Sequence, residues 1–266
     1  MTNKASWEEV RELIERETGP ILFSEHVSEG RNSEVSVIVR SADGDITFVK
    51  GRKADHPRVW TQERERAVNP AIHQISPCLK WSAHNSAWDL NGFEHVSGKH
   101  ADYSRGSADI PKIASTLRQL QEIPCPDVEI KEAEQRWASY TGTPELFAGN
   151  CLLHTEWTPG NVLVSHRAYL VDWAWPTRGA AWIDPACWIV WLMASGHPAR
   201  SAERCAALIP SWQDAPAKSL AEFARVQARM WAGIAAESSE RWTQSVAAAS
   251  AQWASYRNMS VLIRSR

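Results

Sequence analysis

The stretch from Cys151 to Trp173 constrains this chain more than any other. It runs Cys-Leu-Leu-His-Thr-Glu-Trp-Thr-Pro-Gly-Asn-Val-Leu-Val over 151–164 and comes back to Val-Asp-Trp at 171–173. Apolar runs flank a polar loop that presents His154, Glu156 and Asn161, and Asp172 ends the next apolar run. Two carboxylates and an amide at this spacing suit phosphoryl transfer, which asks for positioning and charge neutralisation more than for covalent chemistry. Glu156 has the place of the carboxylate that orients an attacking hydroxyl, and Asn161 and Asp172 have the places of the oxygen ligands that hold Mg²⁺ against the phosphates. His154, two residues ahead of Glu156, reads as the brace of the loop. Singly, His154 also reads as a satisfied core histidine, Asn161 as a turn residue after Pro159-Gly160, and Asp172 as a strand cap. The conjunction carries the chemical reading.

His-x-Glu-x-x-Pro-Gly-Asn-Val-Leu-Val followed by Val-Asp-Trp resembles the aminoglycoside phosphotransferase family, which shares the protein-kinase-like fold and includes choline-kinase-like relatives. The resemblance implies an α+β bilobal architecture. A nucleotide-binding lobe over 1–97 would hold an antiparallel sheet with a helix, and a larger, mainly helical lobe over 98–266 would carry the catalytic loop and the substrate pocket. It implies transfer of the γ-phosphate of ATP or GTP, with Mg²⁺, to a hydroxyl of a small molecule, an aminoglycoside or related antibiotic or metabolite. Glu156 departs from the family pattern, which has Asp at this position. The added methylene displaces the carboxylate, and errors near ~1 Å cost about a hundredfold in rate. The chain therefore has either a re-spaced active site or a weakened one, the latter being a protein that binds nucleotide or ligand without turnover.

The resemblance also assigns residues upstream. Ser6-Trp7-Glu8-Glu9 has the capping-box pattern, and Val10, Leu13 and Ile14 follow at helical spacing until Gly19. Strands are expected over 21–26, 34–40 and 45–50, the last two joined by Ala42-Asp43-Gly44. Between the first two lies Ser28-Glu29-Gly30-Arg31-Asn32-Ser33. In the family the equivalent turn covers the nucleotide phosphates, which gives Gly30, Asn32 and Ser33 a nucleotide-binding role; alone, the motif also reads as a surface hairpin with one glycine. Lys50 ends the third strand, and a lysine there needs a partner. Kinase-like sites pair it with a helix Glu so that the ammonium points at the α and β phosphates. Glu65 is favoured over Glu63 by the likeness of Glu65-Arg66-Ala67-Val68 to the family's helix, although Glu63-Arg64-Glu65-Arg66 also reads as a solvated helix face. Asn69-Pro70 looks like the start of a second short helix. Two further strands are expected over 79–82 and 87–93. Then Phe93-Glu94-His95-Val96-Ser97-Gly98 is similar to the family's hinge, where the carbonyl of Glu94 and the amide of Val96 would hold the adenine; a strand end before a glycine turn accounts for the same residues.

Past Ser97 the pattern turns helical. Ile110, Ile113, Leu117 and Leu120 mark one helix face, closed by Pro124 and Pro126, and a second helix is expected over 132–140. The runs 162–164 and 169–171 form a hairpin through His166-Arg167. Asp184, before Pro185, has the pattern of an N-cap for the apolar helix that follows, and Arg178 reads as a solvated loop residue. The remainder is helical with Ala-rich faces, and Trp253 to Arg257 are candidates for a pocket wall.

Composition narrows the partners. A net charge of −2 gives no footprint for nucleic acid, and the most apolar run, 186–194, is about half of what a bilayer span needs. The opening residues lack the apolar core of a signal peptide, which gives the expectation of a cytoplasmic protein. Five cysteines without a Cys-x-x-Cys pair indicate neither a disulfide framework nor a zinc site. Fifteen tryptophans, several near the catalytic stretch, read mostly as core, with one or two able to wall a pocket. From Glu132 onward acidic and basic residues nearly balance, so a strongly acidic cleft for a polycationic acceptor is not visible in the sequence.

Overall fold

The computed structural model describes residues 4–27 and 33–264, with side chains over 7–27 and 33–259. The chain divides into two compact units, 1–98 with 171–174, and 99–170 with 175–266.

The first unit is a sheet with a helix on each face. Helix α1 (Lys4–Thr18) begins ahead of Ser6, so the expected cap residue lies inside it. Val10, Leu13 and Ile14 are buried, as their spacing requires. Gly19, at φ 73°, closes the helix by donating its N–H to Glu15 O at 2.9 Å. Strands β1 (Ile21–His26), β2 (Val35–Ser41), β3 (Ile46–Lys53), β4 (Leu79–His84) and β5 (Trp88–Glu94) form a five-stranded antiparallel sheet in the order β1-β2-β3-β5-β4. The β2–β3 turn falls on Ala42-Asp43-Gly44, where Gly44 adopts φ 89°. Val35, Val37, Val39, Val49, Trp88 and Leu90 face α1 and make one core with it. Because strand side chains alternate, Lys50 and Arg52 occupy the opposite face from Val49. On that face lies α2 (Trp60–Ile72), which buries Gln62, Glu65 and Asn69.

The second short helix expected at Asn69-Pro70 does not form. Pro70 lies in the last turn of α2, and Asn69 bridges instead of capping: its Nδ2 donates to Pro77 O at 2.9 Å and its Oδ1 accepts from Leu79 N–H at 2.7 Å. Those two bonds fix the α2–β4 connection, which outweighs the start signal that Asn-Pro carries locally.

The second unit holds two small sheets and a helical body. Strands β6 (Lys99–His100), β9 (Val162–Val164) and β10 (Ala168–Leu170) form one sheet, ordered β10-β9-β6. Strands β7 (Lys131–Glu132), β8 (Cys151–Leu153) and β11 (Thr177–Gly179) form the other, ordered β7-β11-β8. The helices are α3 (Asp109–Glu122), α4 (Ala133–Trp137), α5 (Ile183–Ala194), α6 (Ala199–Ala206), α7 (Pro210–Gln213), α8 (Ala217–Ala236) and α9 (Arg241–Arg264). The helix expected over 132–140 is shorter: Glu132 belongs to β7, and a 3-10 turn replaces the helix from Ala138 to Tyr140. Most tryptophans are core. Trp137 meets Phe223 edge to face at 4.9 Å between centroids, and Phe147 and Trp182 join the same cluster. Among the described residues no helix is long and apolar enough to cross a membrane.

Asn69→Ala removes the acceptor of the Leu79 N–H and the donor to the Pro77 carbonyl in a setting where Asn69 is 5% exposed. Unfolding in urea is expected to show a loss of about 1–3 kcal/mol, the usual cost of stranding buried polar groups.

Candidate active site

In the first unit, Lys50 Nζ lies 2.8 Å from Glu65 Oε2 and 2.8 Å from Asp172 Oδ1. The register of β3 aims Lys50 at α2, and α2 returns Glu65 from its buried face. Glu65 Oε1 also accepts the Trp173 N–H at 3.1 Å, which ties the 171–174 segment to the cluster. Lys50 and Glu65 are 8% and 4% exposed. Burial alone would push the ammonium of Lys50 down; Asp172 and then Glu65 reverse that and hold it raised, so it stays protonated. Burial pushes Glu65 up against the pull of Lys50, and the like charge of Asp172 adds to the rise. One ammonium between two carboxylates leaves an excess negative charge. Asp172 stands at φ 62° in the left-handed region, a conformation that asparagine and aspartate tolerate better than most residues.

In the second unit, the loop between β8 and β9 carries His154, Glu156 and Asn161. His154 is 1% exposed, Glu156 is half-buried, and Asn161 ends a 3-10 turn over Pro159–Asn161. The Asn161 Nδ2 donates to the Glu156 carbonyl at 3.2 Å. That orientation leaves its Oδ1 without a hydrogen-bond donor among the described residues, and hence able to act as an oxygen ligand. Thr155, between His154 and Glu156, has φ 68°. For a β-branched residue this is a strained backbone, of order 1–3 kcal/mol, and it persists only where the surroundings fix it.

Asp184 does the fixing, and it is the residue that sequence reasoning misassigned. It does not cap α5, which starts at Ile183; from the first turn its carboxylate faces the loop. Its Oδ2 accepts the His154 N–H at 2.9 Å, and its Oδ1 accepts the Thr155 N–H at 2.8 Å and the Trp157 indole N–H at 2.9 Å. Thr155 Oγ1 adds a bond to Trp175 O at 3.2 Å. The signal was present: a carboxylate inside Ile183-Asp184-Pro185-Ala186-Cys187-Trp188 is too deep in apolar sequence to stay unpaired. The loop is therefore braced through the backbone of His154.

The remaining candidates are placed as follows. Ser33 is half-buried ahead of β2, whereas Gly30 and Asn32 lie outside the described residues. Glu94 ends β5 with its N–H given to Cys78 O, and Val96 is half-buried in the segment beyond. Arg178 sits in β11, where it bonds Cys125 Sγ, the Pro126 carbonyl and Glu132, so it is a structural strand residue. Trp253 is buried and donates to Glu203, and Arg257 pairs with the same carboxylate. Trp157, Trp173 and Trp188 are fully buried core, while the half-buried Trp191, Trp231 and Trp242 make a mutual cluster with centroids 5.7–6.0 Å apart.

The donor chemistry fits a divalent cation. Asp172 in the first unit and Asn161 in the second each carry a hard oxygen of the kind Mg²⁺ selects. Among the described residues no three His, Cys, Asp or Glu side chains group around a common point. Mg²⁺ ordinarily takes only one or two carboxylates, with waters and substrate phosphates completing its octahedron.

No protein-family model and no curated protein sequence matches the chain. Solved structures do. The chain is similar to the GDP complex of a mutant aminoglycoside 2'-phosphotransferase-IIIa, with TM-score 0.62 and 12% identity over 97% of this chain and 98% of that one. It is similar to APH(2")-IIa in complex with gentamicin, with TM-score 0.58 and 14% identity over 95% and 97%. It is also similar to the macrolide 2'-phosphotransferase MphH of Brachybacterium faecium, with TM-score 0.56 and 15% identity over 91% and 96%. At these identities the likeness is one of fold, and it places the chain in the kinase-like phosphotransferase architecture.

Asp184 generates a pH signature. Burial lifts it from 3.8 to about 6, although Trp157, His154 and Thr155 each pull it down. The folded chain thus keeps a proton that the unfolded chain gives up between these two values, so the contribution of this group to stability falls as pH rises through that window and is level above it. Thermal unfolding from pH 4 to pH 7 is expected to show that decline in wild type and to lose it in Asp184→Asn. Asp184→Ala, which strands three donors, is expected to cost about 3 kcal/mol or more.

Proposed function

We propose that the chain is a small-molecule O-phosphotransferase of the aminoglycoside phosphotransferase family, moving the γ-phosphate of ATP or GTP to a hydroxyl. The observation that carries this reading is the buried Lys50–Glu65–Asp172 cluster, with both oxygens at 2.8 Å from the ammonium and Asp172 in a left-handed conformation. A structural ion pair needs one carboxylate per ammonium. Two carboxylates on one buried lysine support a site that also receives a divalent cation together with its phosphates.

In this reading Lys50, fixed by Glu65, clamps phosphate oxygens, and Asp172 and Asn161 are the ligands that would hold Mg²⁺. The ion, when bound, supplies charge neutralisation at the phosphates. Glu156 accepts a hydrogen bond from the acceptor hydroxyl and takes its proton late, since a loose transition state needs little base strength. His154, Thr155 and Asp184 set the backbone from which Glu156 projects. Ser33, Gly30 and Asn32 are the proposed phosphate-covering residues, and the backbone of Glu94 and Val96 is the proposed adenine grip. The acceptor is a hydroxylated metabolite or antibiotic, and the density of tryptophans in the chain favours one with apolar surface. A second reading, nucleotide binding without turnover, is favoured by one observation: Glu156 stands where the family has Asp.

Nucleotide affinity and phosphate transfer, measured across a panel of hydroxylated antibiotics and metabolites, separate the two. Asp172→Asn is expected to weaken Mg²⁺-dependent nucleotide binding, and Glu156→Gln to leave binding intact while lowering kcat by about 10²–10⁴-fold. Transfer that survives Glu156→Gln undiminished removes Glu156 from its role, and tight nucleotide binding without transfer to any acceptor supports the second reading.

A further inference from the structure

Two residues beyond Lys50 on the same face of β3 sits Arg52, a second cation that the reading above does not use. It is 6% exposed, although its guanidinium lies less deep than the ammonium of Lys50. Among the described residues, each nearby acid is engaged elsewhere. The residue directly across the β3–β5 ladder from Arg52 is Asp89, and Arg66 of α2 takes both oxygens of Asp89 at 2.5 and 3.1 Å. Glu34 gives its Oε2 to the Lys53 N–H at 2.8 Å. Asp172 gives its Oδ1 to Lys50. Arg52 is left with the ring of His56, whose two nitrogens lie 3.2 Å from Nη1, while its buried Nε has no hydrogen-bond partner. Burial lowers its pKa, the like charge of Arg58 lowers it further, and Asp172 and Glu34 only partly restore it.

A guanidinium buried to this degree without a carboxylate is costly, and proteins otherwise keep such groups paired. Gly51, between the two cations, holds the backbone close to β5: a Cβ there would stand 2.7 Å from Asp89 O. Lys50 and Arg52 are thereby fixed on one face of one strand, where the planar fork of Arg52 matches phosphate oxygens bidentately and the ammonium of Lys50 acts as a point charge. Resting on the nucleotide reading, we propose that Arg52 is a second phosphate-binding residue, whose missing counter-ion is the polyphosphate chain of the nucleotide. Lys50 and Arg52 then divide the phosphates between them.

Calorimetric titration of the full chain with Mg²⁺ and ADP, inorganic pyrophosphate or adenosine tests this. Arg52→Gln is expected to weaken ADP and pyrophosphate at least tenfold, to leave adenosine unchanged, and to flatten the salt dependence of ADP binding. Arg52→Lys is expected to recover part of the loss. Arg52→Met without ligand is expected to melt at or above the wild-type temperature, because it removes an unpaired buried charge. Wild-type ADP affinity in Arg52→Gln overturns the assignment and leaves the phosphotransferase reading standing. Equal losses for ADP and adenosine, or a lowered melting temperature in Arg52→Met, make Arg52 structural and also overturn it. A wild-type chain that binds neither ADP nor pyrophosphate overturns both.

Discussion

One ammonium held between two carboxylates is the constraint on which the first unit turns. Lys50, Glu65 and Asp172 come from a strand, a helix and a distant segment, and each is tied to its element by something other than the ion pair: the β3 ladder, the buried face of α2, and the Glu65 bond to the Trp173 N–H. The cluster thus brings residues 122 positions apart in sequence into one hydrogen bond. Its energetics are unlike those of a surface salt bridge. Desolvation penalises every member, and the protonated lysine held between the two acids offsets part of that cost.

The same logic of committed partners runs through the rest of the sheet face. Arg66 claims Asp89 and Asn91, Gln62 claims Asn91, and Asn69 claims the β4 approach. Polar residues on this face are specified pair by pair, in contrast to the opposite face, where valines, Leu90 and α1 form an apolar core that tolerates exchange of like for like. Loop rigidity in the second unit has a comparable origin. Three donors converge on Asp184, and a strained Thr155 is the outcome.

The sheet and the apolar helices were legible in the sequence because their periodicities are local. Val35, Val37 and Val39 alternate, Val10, Leu13 and Ile14 recur at helical spacing, and Ala42-Asp43-Gly44 announces its turn. Lys50 and Glu65 were legible only with the resemblance, which chose Glu65 over Glu63 where the residues alone also read as a solvated helix face; Lys50 stands inside β3, which runs on to Lys53, rather than at its end. What failed depended on long-range bonds. Asn69-Pro70 reads locally as a helix start, yet Asn69 bonds the far side of the connection. Asp184 reads locally as a cap, yet its three donors lie 27 to 30 residues upstream. The isolation of Arg52 could not be read from the sequence either, because it depends on which arginine wins Asp89.

The 171–174 segment belongs by its packing to the first unit although it is encoded after the β8–β9 loop and the β9–β10 hairpin. A ribosome delivers the β-sheet and α2 long before it delivers Asp172 and Trp173. Until then neither the second acid of the cluster nor the Trp173 amide that Glu65 accepts has been made. Completion of the N-terminal half is thereby made contingent on synthesis of the segment that follows the β9–β10 hairpin, so a chain cut short of residue 172 would hold every strand of the sheet and still lack the acid that finishes the cluster.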